Sequence, residues 1–208
     1  HEKALNNIKK LFKNAGYILS VKLLNANDYE VPQHRKRIIF VGYRKDLNVK
    51  YKFPEPIKNK LTLKDAIWDL KNNVVSAKSK NHTNKSKKPN HEYMIGGFSS
   101  MYMSRNRVRS WDEPSYTIQA GGRHAPIHPQ APKMEKIEKD QHIFKQGKEN
   151  YYRRLSVREC ARIQTFPDNF IFYYKNLSAG YKMIGNAVPI NFAFHLAADK
   201  RADYAELN

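Results

Sequence analysis

The sequence predicts an α/β fold, seen at the edge of a sheet, joined to a smaller, irregular and mostly β region. Three observations predict it. An amphipathic helical stretch at the start is followed by two strand-like runs. Phe53-Pro54-Glu55-Pro56 then interrupts the pattern and marks a boundary. Beyond it, the stretch Met103 to His124 combines strand composition with two sharp bends.

From Glu2 to Asn14, Ala4, Leu5, Ile8, Leu11 and Phe12 recur at helical spacing among lysines, and Gly16 supplies the stop. Tyr17 to Leu24 reads as a strand. Arg37-Ile38-Ile39-Phe40-Val41-Gly42 reads as a second, well-buried strand. A helix and two strands are too few to close an α/β sheet, so further strands are expected outside this chain. Between the strands, Arg35 and Arg37 alternate with Lys36 in Val31-Pro32-Gln33-His34-Arg35-Lys36-Arg37. Charge at the mouth of a sheet suits a ligand site. It suits equally well an edge strand that discourages aggregation.

Thr62-Leu63-Lys64-Asp65 resembles a capping box opening a short helix through Leu70. Ser76 to Asn90 carries Lys78, Lys80, Lys85, Lys87 and Lys88 among Ser, Asn and Thr, and reads as a mobile surface loop with non-specific attraction for phosphate.

The next stretch holds most of the information. Arg105, Arg107 and Arg109 are two apart, so an extended segment would put them on one face. Asp112-Glu113-Pro114 is a turn signal, Tyr116-Thr117-Ile118 has strand composition, and Gly121-Gly122 bends the chain again before Arg123. Guanidinium groups gathered this way suit the O6 and N7 edge of guanine in duplex DNA. A solvated basic face is the plainer alternative. The tight spacing and flanking glycines favour DNA.

Pro126, Pro129 and Pro132 keep the following segment extended. His124 and His128 are four apart, but without cysteines, an acidic partner or a helix they are read as hydrogen-bonding or DNA-facing residues, with no metal expected. Ser156-Val157-Arg158-Glu159 is a full capping box. Its helix runs through Cys160, Ala161 and Ile163 and stops at Phe166-Pro167. Cys160 inside that helix reads as small apolar filler. Gly185-Asn186-Ala187-Val188-Pro189 predicts a tight turn before a last helix through Phe192, Phe194, Leu196 and Ala197. The amides of such a turn can meet a ligand, although helices also simply start this way.

Composition bounds the partners. The 208 residues carry 38 Lys and Arg against 19 Asp and Glu, a formal charge of +19. Excess charge of that size calls for a polyanion, nucleic acid first. No apolar run approaches the ~20 residues of a spanning helix, and no signal peptide is visible. The single cysteine excludes an internal disulfide framework and fits a reducing compartment. The chain opens on His1, which suggests a piece of something longer.

Taken together, these stretches resemble the C-terminal half of bacterial cytosine-5 DNA methyltransferases. Asn25-Ala26-Asn27-Asp28-Tyr29 through Gln33-His34-Arg35-Lys36-Arg37 is similar to the family's Gln-x-Arg-x-Arg motif. Arg153 to Asp168 is similar to the block supporting its target-recognition domain, and Gly185 to Pro189 matches its last motif. Pro89-Asn90-His91-Glu92-Tyr93, Met103 to Trp111 and His128-Pro129-Gln130-Ala131-Pro132 look like the GGCC-recognising members.

The resemblance implies a cytoplasmic enzyme of a restriction-modification system acting on double-stranded DNA. A cytosine is flipped from the duplex, a thiolate adds to C6, a glutamate assists at N3, and C5 takes a methyl group from S-adenosyl-L-methionine. Covalent addition is needed because C5 of neutral cytosine is a poor nucleophile. Carried over by residue, Arg37 contacts the flipped base near O2, while Arg35 and Gln33 hold the surrounding backbone and active-site loop. Arg105, Arg107 and Arg123 contact guanine, Arg109 contacts phosphate, and Asn186 and Ala187 lie at the cofactor pocket.

The family's glycine-rich cofactor motif, Pro-Cys loop and Glu-Asn-Val motif do not occur in this sequence. The nucleophile and most of the cofactor site are therefore expected in an N-terminal half, on the same polypeptide or a separate subunit, and the chain alone is expected to be inactive. Residues 1–55 and 180–208 are assigned to the edge of an S-adenosylmethionine-dependent methyltransferase sheet and its returning helix, and 56–179 to a target-recognition domain. Two other readings stand beside this one: a non-catalytic sequence-specific DNA-binding module, and a basic protein that coats RNA or membrane.

Overall fold

The computed structural model describes residues 2–78 and 86–198. Helix α1 spans Glu2–Asn14 and ends where Gly16 takes φ +83°, a left-handed conformation that costs glycine little. Strands β1 (Tyr17–Asn25) and β2 (Lys36–Arg44) pair antiparallel, from Tyr17 opposite Arg44 to Asn25 opposite Lys36. Phe12 of α1 meets Tyr17 edge-on and lies over Gly42, where a Cβ would approach its ring to 3.2 Å.

The buried β2 expected from sequence is not what forms. The strand is half-buried at best and Ile38 is 52% exposed. A two-stranded antiparallel ribbon needs cover on one face only, and here that cover is partial. The N-terminal core forms at the end of the ribbon, where Leu24 of β1 packs with Ala26, Tyr29 and Val31 against Phe192.

The middle of the chain contains helices α2 (Leu63–Ile67), α3 (Val157–Ile163) and α4 (Leu177–Asn186). Strand β3 (Val75–Ala77) pairs parallel with β4 (Glu92–Met94), and β5 (Glu135–Glu138) pairs antiparallel with β6 (Gln141–Ile143). Both predicted capping boxes are present. Thr62 accepts from the Asp65 amide and Ser156 from the Glu159 amide, each reciprocated. Leu63, Ile67, Ile118, Leu155, Ile163, Tyr181 and Ile184 share the central core, while Tyr102, Val108, Ile127 and Tyr152 form a third.

The expectation of a mostly β region is corrected: its strands run to three or four residues, and Tyr116-Thr117-Ile118 forms none. Side chains here satisfy main-chain groups that ladders would otherwise pair. Fully buried Arg158 donates to the carbonyls of Pro89, Pro167 and Phe170 and to the Asn90 side chain. The predicted surface loop from Ser76 begins inside β3. Lys88 is paired with Asp69 at 3.3 Å, while Lys80 and Lys85 lie outside the described residues.

The predicted turn at Gly185 is also corrected, because Gly185 lies inside α4. Helix α5 (Ile190–Ala198) follows Pro189, whose carbonyl accepts from Ala193. Helix α4 packs in the central core and α5 carries Phe192 into the N-terminal one, so the packing changes between them at Ala187–Pro189. Among the described residues, no helix is long and apolar enough to cross a membrane.

A buried ionic hub anchors α3. Burial pushes the Glu159 carboxyl up, but two bonds from Arg153 (2.7 and 2.8 Å) and one from the Ser156 amide hold it below its ordinary value. Fully buried His128 accepts at Nδ1 from the Gln130 amide, which assigns its proton to Nε2, 3.5 Å from Glu159. Burial lowers the His128 pKa to about 4 despite that carboxylate. The unfolded chain then binds a proton at His128 before the folded one does. Stability should fall by about 3 kcal/mol as pH drops from roughly 6.5 to roughly 4. Denaturant unfolding across that window checks this: His128→Gln should flatten the loss, and an unchanged slope would contradict the assignment.

Candidate nucleic-acid interface

The segment before β2 is stitched to the arginine-rich stretch residue by residue. Ser115 donates its amide to Pro32, His34 donates to Ser115, and the Thr117 hydroxyl donates to the His34 carbonyl. Gln33 is fully buried. Its Oε1 accepts from the Ile118 amide at 2.8 Å, while its Nε2 has no acceptor among the described residues.

Arg35 closes the arrangement. It is 6% exposed and donates to the carbonyls of Ile118 (3.0 Å), Gly185 (2.9 Å) and Ala187 (3.3 Å). Burial, with a smaller contribution from the Arg37 charge, lowers its pKa to about 10, so it stays charged at neutral pH. One planar guanidinium thus joins three chain segments, geometry that an ammonium group could not reproduce. Arg37, two residues on and at the start of β2, is exposed, and among the described residues its guanidinium bonds only to the carbonyl of its neighbour Lys36.

Arg105 and Arg107 border a cavity of about 340 Å³ with His34, Tyr102, Thr117 and His124. Arg105 is exposed and has no side-chain partner among the described residues. Arg107 is held over the Tyr102 ring, with Nε and Nη2 donating to the carbonyls of Tyr102 and Met101. Its Nη1 donates to no group among the described residues, and a side chain held this way has little entropy left to lose.

The expectation that Arg109 shares this face is corrected. It does not line the cavity: it stacks on Tyr116 and pairs with Glu113 at 2.6 Å. The Ser110 amide and Arg109 in turn hold the Glu113 pKa at about 2.

Arg123 is exposed on a short 3-10 turn, Gly122–His124. The glycine requirement here is one of approach: a Cβ on Gly122 would lie 2.7 Å from the Tyr181 ring, whereas Gly121 is simply extended. Arg123 and His124 line a second cavity of about 660 Å³ with Lys78, Gly96, Gly97 and Arg154, and His124 borders both cavities.

Sequence reasoning missed Arg154. It is 2% exposed, stacks 3.9 Å from Phe98, and donates to the carbonyls of Met94, Gly96 and Gly97. Its position beside Arg153 gave no hint of this. The Gly96-Gly97 pair, a counterpart of Gly121-Gly122, was the available signal.

At the other end of the Arg35 clamp, Ala187 is half-buried and Asn186 is exposed, with no side-chain hydrogen bond among the described residues. The Gln164 amide fixes this corner by donating to the Ile184 carbonyl. An open amide beside exposed Met183 and Val188 fits a ligand that has both polar and apolar parts, as S-adenosyl-L-methionine does. Cys160 is fully buried and its thiol is pushed well above the ordinary value by burial, so it cannot supply a reactive thiolate.

A profile of the C-5 cytosine-specific DNA methylase family matches residues 1–201, and the chain belongs to that family. It is 60% identical to the Type II methyltransferase M.MthTI of Methanothermobacter thermautotrophicus, covering 92% of this chain and 58% of that protein. It is 55% identical to M.FnuDI of Fusobacterium nucleatum, covering 93% and 58%. The chain thus spans a little over half the length of these relatives. Among solved structures, one from an Escherichia coli prophage, described as a DNA modification methyltransferase, aligns over 97% of this chain and 66% of its own. Its TM-score is 0.65 and its identity 18%, a likeness of fold.

Proposed function

We propose that this chain is the DNA-reading and base-holding part of a cytosine-5 methyltransferase of a restriction-modification system. In this reading it acts on a short duplex site, GGCC. The observation that carries the proposal is the Arg35 clamp. It ties the segment bearing Arg37 to Ile118 in the arginine-rich stretch and to Gly185 and Ala187 beside the cofactor corner.

Arg37 then lies free at the mouth of the ribbon to donate to the flipped cytosine near O2. Gln33, buried with its Oε1 on the Ile118 amide, holds the backbone beneath the active-site loop. Arg105, Arg107 and Arg123 read guanines along the groove. Arg109, neutralised by Glu113, contributes less to phosphate binding than its charge suggests. Asn186 and Ala187 face S-adenosyl-L-methionine, which supplies the methyl group. The remaining catalytic part, on the same polypeptide or a separate subunit, covers the exposed apolar surface that includes Leu11, Leu23, Ile38, Val188 and Phe194.

Bisulfite sequencing of DNA from cells expressing the intact protein tests this reading: GGCC should be protected at one cytosine. Specific binding without protection would instead support a non-catalytic DNA-binding module. Arg105→Ala should relax discrimination at one base pair by ~1–3 kcal/mol, roughly 5- to 150-fold, as measured by competition between GGCC and singly changed duplexes. A loss equal for all sequences would move Arg105 to a phosphate.

A further inference from the structure

The second cavity holds a feature that base reading does not use. Gly96, Gly97, Phe98 and Ser99 run along its wall, and their four consecutive backbone N–H groups have no acceptor among the described residues. The carbonyls of the same loop are occupied: those of Met94, Gly96 and Gly97 accept from the buried Arg154 guanidinium. Gly96 takes φ +130°, and a Cβ at either glycine would meet open space within 4 Å, so both present bare backbone. Consecutive unpaired amides in a turn make a concavity for an anion. Lys78, Arg123 and His124 add positive charge around it. Carbonyls turned one way onto a buried cation leave the donors to serve whatever occupies the cavity.

We infer that the Gly96–Ser99 loop, with Lys78 beside it, is a built pocket for a backbone phosphodiester of the bound duplex, and that Arg154 is the positioning residue holding its shape. This rests on the DNA-binding reading above. His124 borders both cavities and its neighbour Arg123 lines the second, so a phosphate seated on the loop would fix the strand's register while Arg123 reaches the adjacent base edge. Phosphate contacts position the duplex and base contacts specify it, and the two cavities divide those tasks between them.

The test uses the intact protein and duplexes in which single phosphates are replaced by neutral methylphosphonates. Wild-type protein should lose affinity at one or two backbone positions flanking the site. Lys78→Ala should show no further loss at those positions, a salt-dependence slope reduced by about 1, and unchanged preference among sequences. Lys78 is exposed, so this variant should fold. Arg154→Ala should reproduce the reduced slope with preference retained, and Arg154→Lys should restore part of it.

The amide resonances of Gly96 and Gly97 should move downfield on binding duplex DNA and return when the flanking phosphate is neutral. Sequence-selective binding with every methylphosphonate tolerated equally by wild type and Lys78→Ala would overturn the pocket while leaving the DNA-binding reading intact. Amides indifferent to the flanking phosphate would do the same. Absence of any duplex binding would overturn both.

Discussion

Arg35→Ala is expected to lower the unfolding free energy by about 3 kcal/mol or more, measured by denaturant unfolding. Three carbonyls, of Ile118, Gly185 and Ala187, would lose a charged donor, and the buried ones among them would have no water to replace it. Arg35→Lys should recover only part of the loss, because one ammonium cannot reach three acceptors spread around a planar fork. Arg37→Ala is the informative control. Its guanidinium is exposed and, among the described residues, bonded only to an adjacent carbonyl, so stability should stay within about 0.5 kcal/mol, while methyl transfer, in the proposed role, should fall by roughly 100-fold or more. Two arginines two residues apart would then separate cleanly into one that builds the site and one that uses it. If both variants unfold alike, the division is wrong.

Gly185→Ala is the second change expected to be severe. A methyl group there would lie 2.3–2.4 Å from the backbone of Gln119 and Ala120. Backbone cannot rotate away as a side chain can, so α4 and the 119–120 segment would have to part, at a cost of roughly 3 kcal/mol. The comparison is Gly180→Ala, five residues earlier in the same helix. There the obstacle is the Tyr174 ring at 2.8–3.0 Å, a side chain tethered through its hydroxyl to Glu92 and not a second backbone, and the loss should be smaller. Thermal unfolding of the two variants decides between them. Equal losses would mean that the α4 contact with Gln119 yields more easily than its geometry implies.

These two residues also mark how far the sequence could be read. Helix α1, both strands of the ribbon and both capping boxes were legible because each is encoded locally, by spacing of apolar residues or by a side chain three positions from its partner. Burial of β2 was misjudged because an apolar run reports what a strand can bury and says nothing about what covers it. The arginine-rich stretch was found by composition, yet its interior was not. Arg109 pairs with Glu113, which stood in plain view as part of a turn signal. Arg35 and Arg154 bind carbonyls 83, 150 and 152 residues away and 57 to 60 residues away, respectively. No local pattern could distinguish such buried cations from the many solvated ones in a chain of charge +19. Gly185 was read as a turn residue, whereas its role is close approach of two backbones, a tertiary demand.

The central claim is that Arg37 and the groove bordered by Arg105, Arg107 and Arg123 act on one duplex, from which a single base is drawn out. Placing 2-aminopurine at the target cytosine of a GGCC duplex and following its fluorescence on binding the intact protein measures this directly. Fluorescence should rise as the base leaves the stack, and it should do so less for Arg105→Ala, whose binding is weakened at the site. A duplex bound at the same site with its target fluorescence unchanged would contradict the claim.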